Sequence, residues 1–105
     1  MKVRIKENSW LAKMAAAKLK TEKVAIVFGN TIHLHNTDRV EFLQDEKWVC
    51  HELKHVQQYR QNGFLLFITK YIFESVKKGY YNNKFETEAR ENENNTGLLS
   101  EVQFV

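Results

Sequence analysis

Val3-Arg4-Ile5-Lys6 alternates apolar and basic side chains, the period of a half-buried strand. Ser9 then stands where a helix N-cap would, and Trp10, Leu11, Met14, Ala15 and Leu19 follow at helical spacing, which predicts a first helix over Trp10 to Lys20. Val24 to Phe28 is a short apolar run and Thr31 to His35 is β-branched and alternating; the two-residue link Gly29-Asn30 between them favours a hairpin. From Asp38 the period becomes helical, with Phe42, Val49, Leu53 and Val56 recurring every three to seven residues until Asn62-Gly63 stops it. The central helix is best placed at about Asp45 to Gln61. A second long helix covers Phe64 to Lys78 and ends at Gly79, Tyr80 to Asn83 is a connection, and Phe85 to Glu93 reads as an acidic helix. The alternation returns in Val102-Gln103-Phe104-Val105, a candidate last strand. This is an α+β layout with a small N-terminal sheet.

Composition narrows the class. A chain of 105 residues with 43% hydrophobic and 28% charged residues is expected to be one folded domain, outside the weakly hydrophobic, strongly charged class that stays disordered. Cys50 is the single cysteine, so no internal disulfide forms and a reducing, cytoplasmic setting is expected. The net charge of +3 comes with basic residues concentrated in the first third and Glu86, Glu88, Glu91 and Glu93 clustered near the end. No dense Lys/Arg run interleaved with aromatics is present, which argues against a nucleic-acid surface. No signal peptide or transmembrane span is indicated, since Thr69, Lys70, Glu74 and Ser75 interrupt the densest apolar stretch, Phe64 to Val76. That helix is apolar nearly all round and is expected to pack as core beneath the central helix. The competing reading is a peripheral membrane or protein contact, with Lys70, Lys77 and Lys78 meeting anionic lipid.

The central helix contains His51-Glu52-Leu53-Lys54-His55, an H-E-x-x-H pattern. Residues four apart on a helix lie on one face, so both imidazoles can reach one ion at about 2.0–2.1 Å, with Glu52 beside an open position. Val49, Leu53 and Val56 form a separate apolar side, so the helix is predicted independently of the motif. A catalytic zinc site needs a third protein ligand, and Phe85-Glu86-Thr87-Glu88-Ala89-Arg90 supplies carboxylates on a later helix. Glu86 and Glu88 face different ways, so one of them at most is expected to bind metal.

The stretch from His51 to Arg90 resembles the thermolysin-type zinc peptidases called gluzincins, above all their smallest single-domain members, the minigluzincins, and the catalytic core of HtpX-type membrane peptidases. The resemblance implies a zincin-like domain over residues 1–105, with zinc held by His51, His55 and the first Glu of an E-x-x-A-D pattern, which is Glu86 here. In thermolysin itself the ligand Glu directly precedes an Ala, a spacing that points to Glu88 instead. It further implies hydrolysis of peptide or protein substrates by a metal-activated water, with Glu52 as general acid and base. The sequence departs from the pattern at Arg90, where the family carries an Asp that orients a ligand histidine. Glu88, Glu91 or a backbone carbonyl is then needed in its place. The departure favours, as the alternative, a noncatalytic zinc-binding module derived from such a peptidase.

Other residues have a plain structural reading beside a chemical one. Thr31, Ile32 and His33 are expected to lie on an exposed edge strand that holds an extended substrate. His33 and His35 share a strand face and are expected to be ordinary half-exposed residues rather than a second metal pair. Tyr80 and Tyr81 are read as packing or surface residues, with stabilisation of an oxyanion as the sharper possibility. Cys50 points about 100° away from His51 on the helix and is read as a small buried hydrophobe.

Overall fold

The structure is a computed structural model describing residues 1–105. In chain order it places β1 (Lys2–Lys6), α1 (Trp10–Leu19), β2 (Val24–Phe28), β3 (Thr31–His35), α2 (Arg39–Gln44), α3 (Glu46–Asn62), α4 (Phe64–Lys78), α5 (Lys84–Glu91), α6 (Gly97–Ser100) and β4 (Gln103–Phe104). The class is α+β.

Each element starts where its residues dictate. Ser9 is the N-cap of α1 and accepts from the Ala12 N–H, a contribution of about 1 kcal/mol. Its hydroxyl also meets His33 Nδ1 at 2.8 Å, which ties α1 to β3. Asp38 caps α2 and Asp45 caps α3, each accepting from a backbone N–H three residues on. The helical stretch that begins near Asp38 is divided at Asp45 into a short α2 and the central α3, which starts within a residue of its expected place; the carboxylate of Asp45 restarts the chain without any Gly or Pro.

The sheet order is β2-β3-β1-β4, with β2 and β3 antiparallel and β1 parallel to both β3 and β4. Its alternation divides the side chains cleanly. Val3, Ala25, Ile32 and Leu34 enter the main core with Phe42, Val49, Cys50, Leu53, Val56 and Leu98, so α3 lies against that face. Val24 joins Ala12 and Ala16 of α1 on the other face. A third cluster of Tyr59, Phe67 and Phe85 joins α3, α4 and α5.

This order corrects one expectation. Thr31, Ile32 and His33 do not lie on an edge, because β3 is paired on one side by β2 and on the other by β1. The N-terminal strand inserts beside the hairpin, and the open edge falls to β2. His33 also faces α1, on the opposite side of the sheet from α3.

The helix α4 differs from a buried core helix. Phe67 and Glu74 are its buried residues, whereas Leu65 is 77% and Val76 82% exposed. One side of the helix packs on the domain through Phe67, and a second side walls the cleft described below. No helix is long and apolar enough to cross a membrane.

Candidate metal centre

Three side chains converge on one point. His51 and His55 project from the same face of α3, and Glu86 reaches them from α5, with one donor atom of each lying within 4.8 Å of the others. Glu86 Oε1 is 3.1 Å from His51 Nε2 and Glu86 Oε2 is 3.1 Å from His55 Nε2. The carboxylate, the third donor, is delivered by its own local chemistry. Asn83, fully buried, caps α5 through the Phe85 N–H and donates to the Tyr71 carbonyl and Ser75 hydroxyl of α4, while Glu74 accepts from the Lys84 N–H. Phe85 and Ala89 are buried, so α5 is pinned at its start and along its inner face. Glu86 is the third residue of that helix, in its first turn.

Glu88 is not brought to the centre. Its carboxylate accepts from Gln58 Nε2 at 2.8 Å, and Gln58 Nε2 also donates to the Phe85 carbonyl at 3.1 Å. Both partners are acceptors, so the amide oxygen of Gln58 must face His55, and His55 Nδ1–H donates to it at 2.8 Å. On the other imidazole, His51 Nδ1–H donates to Glu93 Oε2 at 2.8 Å. Each histidine thus has its Nδ1 proton held from behind and its Nε2 turned to the shared point. Such outer partners fix the tautomer that ligates a metal.

Arg90 stands on another side of α5. Its guanidinium lies 4.0 Å from the Tyr81 ring centroid and donates to the Tyr81 carbonyl at 2.6 Å, so it secures the α4–α5 connection. The orienting carboxylate expected after Ala89 is supplied from one turn further on, by Glu93, beyond the last residue of α5. Glu93→Gln is expected to lower metal affinity by about 10–100-fold, read by competition with a chromophoric chelator. An affinity unchanged from that of the original protein would show that Glu93 orients nothing.

The charges of the centre are strongly coupled. Burial works against protonation of His51, yet its hydrogen bonds to Glu86 and Glu93, with the nearby charge of Glu52, hold its pKa at about 9. His55 is raised despite its deeper burial, again by Glu86, and Glu86 is well below the usual carboxylate range because two imidazoles and the Tyr71 hydroxyl compensate its desolvation. Glu52, only 5% exposed, is pushed up by burial to about 7, with His55 and His51 opposing. It therefore sits where it can both take and return a proton near neutrality.

Two neutral imidazoles and a carboxylate are the donor set of a catalytic zinc site, and their second nitrogens are already satisfied, so the residues fit such an ion. Where no metal is bound, protons on the two Nε2 atoms serve the carboxylate instead, and a metal must displace them. Zinc affinity is accordingly expected to rise with pH by up to about tenfold per unit for each proton displaced, flattening near pH 9. Calorimetry at pH 7 in buffers of different ionisation enthalpy is expected to show between one and two protons released per ion. Release of none would contradict the shared-proton arrangement.

The centre lies on a cleft of about 280 Å³ bounded by β2, α3 and α4. Glu52 opens onto it, as do Tyr71 and Tyr80. Tyr71 donates to Glu86 Oε2, and burial beside that carboxylate raises the pKa of both phenols, so they stay protonated. Tyr81 is instead engaged with Arg90. Cys50 is fully buried beside the Asn95 carbonyl, its thiol pushed up by burial. Tyr71, Gln58 and Glu93 are the members of the site that the sequence pattern does not single out. Gln58 has a usable signal, being a polar residue three positions after a motif histidine. Tyr71 is hidden in an apolar run, and Glu93 lies outside the helical period of α5.

The family model described as the eCIS core domain matches residues 1–63, from β1 through α3. The matched segment carries His51, Glu52 and His55 and ends before Glu86. No curated protein and no solved structure matches the chain.

Proposed function

The chain belongs to the eCIS core domain family, and on that premise we propose that it is a zinc-dependent peptidase in which His51, His55 and Glu86 hold the ion and Glu52 is the general acid and base. The observation that carries the reading is the convergence of these three donors beside a buried Glu52 on an open cleft. The gluzincin resemblance of the motif and of the downstream Glu supports the same assignment.

Bound zinc supplies Lewis acidity that polarises a peptide carbonyl and lowers the pKa of water toward ~7. The rest is done by the chain. Glu52 takes the proton of the attacking water and passes it to the leaving amine, a task that suits a carboxyl with a pKa of about 7. Glu93 and Gln58 hold the two imidazoles in the ligating tautomer. Tyr71 spends its O–H on Glu86 Oε2 and so holds that ligand in place, while Tyr80, which lines the cleft and keeps its proton, offers an O–H donor where negative charge develops on the carbonyl oxygen.

The substrate is a peptide in extended form. Phe28 and Thr31 close the two-residue hairpin, so the backbone groups of Ala25 and Val27 point away from β3. The Val27 carbonyl is taken by the Tyr59 hydroxyl at 3.2 Å, which leaves Ala25 with both its donor and its acceptor for an added strand. Ala25 lines the cleft beside His51 and Glu52.

Incubating the zinc-loaded protein with a diverse peptide library and sequencing the products by mass spectrometry tests the proposal. Cleavage that a chelator stops and zinc restores is the expected result. One zinc per chain with no product over the library would favour the noncatalytic module, and absence of zinc binding would remove both readings.

A further inference from the structure

The cleft changes character along its length, and the change is aligned with β2. Beyond the metal centre toward the C-terminal end of β2 it is walled by Ile26, Phe28, Ile68, Ile72 and Phe67. Toward the N-terminal end of β2 it continues as an open groove carrying Thr21, Lys23, Asp45, Lys47 and Trp48, and bounded by Glu93. Leu19, Ala25, Tyr80, His51 and Glu52 line both halves, so the centre sits at the junction. The helix α3 follows the same axis: Asp45 and Trp48 flank the charged half, and His55 and Tyr59 the apolar half.

Resting on the peptidase reading above, we infer that the cleft selects substrates by polarity, with large apolar side chains required before the scissile bond and polar ones accepted after it. The direction follows from the strand. A peptide that pairs with an open edge is slightly better held antiparallel than parallel. An antiparallel peptide runs from the Phe28 end of β2 toward the Val24 end, so its N-terminal portion enters the half walled by Ile68 and Ile72 and its C-terminal portion enters the half with Lys23 and Lys47. Burial of two large apolar side chains in the first half supplies the affinity, while the second half, with lysines and carboxylates together, favours residues that keep their water.

Binding tests the orientation without turnover. Two hydroxamates are compared by calorimetry on the zinc-loaded protein: acetyl-Phe-Leu-hydroxamate, whose side chains occupy the positions before the scissile bond, and a malonyl hydroxamate linked to Leu-Phe-amide, whose side chains occupy those after it. The first is expected to bind more than about tenfold tighter, and Ile72→Lys, at an exposed position that perturbs no core contact, is expected to bring the two within about threefold. Equal binding or the reverse order in the original protein overturns the inference, as does a preference that Ile72→Lys leaves intact. If the preference holds while no peptide of the library is cleaved, the peptidase reading fails and the cleft assignment survives. A chain that takes up no zinc overturns both.

Discussion

Glu52→Gln is expected to lower peptide hydrolysis by about 10²–10⁴-fold while leaving zinc binding at one ion per chain. The carboxyl is not among the three donors that converge, so its loss leaves them in place. The amide that replaces it has nearly the same shape and removes a buried carboxyl on the cleft whose pKa is about 7. The buried carboxylate costs stability through desolvation, so the variant is also expected to melt no lower than the original protein. Calorimetric melts and zinc titration run beside the activity assay separate loss of chemistry from loss of structure. Full activity in a zinc-loaded Glu52→Gln protein would remove Glu52 from the mechanism.

The second large effect belongs to Glu86. Glu86→Gln replaces a charged ligand by a neutral amide and is expected to weaken zinc binding by on the order of 10²–10³-fold, about one ligand's share of the affinity of a three- or four-ligand site. It also removes the group that raises the pKa of His51 and His55. The His51 imidazolium is therefore expected to lose its proton well below pH 9, visible in the imidazole resonances of the metal-free variant. Glu88→Gln is the matched comparison, because Glu88 contacts Gln58 rather than the centre. Its effect is expected to be smaller, acting through His55 alone. An equal loss in the two variants would leave the third ligand unassigned.

Much of this architecture was legible in local pattern. The hairpin followed from Gly29-Asn30 between two β-rich runs, and Gly29 does adopt the positive φ of +69° that a tight turn requires. The helix carrying the motif followed from Val49, Leu53 and Val56, which are all buried as expected. What the pattern did not carry was long-range pairing. That β1 would insert between β3 and β4, moving the open edge to β2, depends on contacts between residues up to about a hundred positions apart and leaves no mark on the alternation of Val3 to Lys6. For the same reason local alternation alone places Thr31 to His35 at an edge, whereas the sheet encloses them.

At the site, spacing on one helix was enough to mark His51, Glu52 and His55, because one period fixes their common face. The partners behind them come from elsewhere. Glu93 follows the end of α5 and reaches back to α3 through a turn, where helical periodicity no longer assigns a face. Neither Glu88 nor Glu91 takes the place of the missing Asp directly, although Glu88 supports His55 through Gln58. The apolar run of α4 concealed Tyr71, whose ring belongs to the packing and whose hydroxyl belongs to the site.

The central claim is an open three-ligand zinc centre, and X-ray absorption at the zinc edge of the loaded protein tests it most directly. Two imidazole nitrogens at about 2.0–2.1 Å with oxygen ligands from one carboxylate and an exchangeable water is the predicted shell. A sulfur near 2.3 Å, which would have to come from Cys50 or a methionine, or a shell filled by four protein ligands, would contradict it.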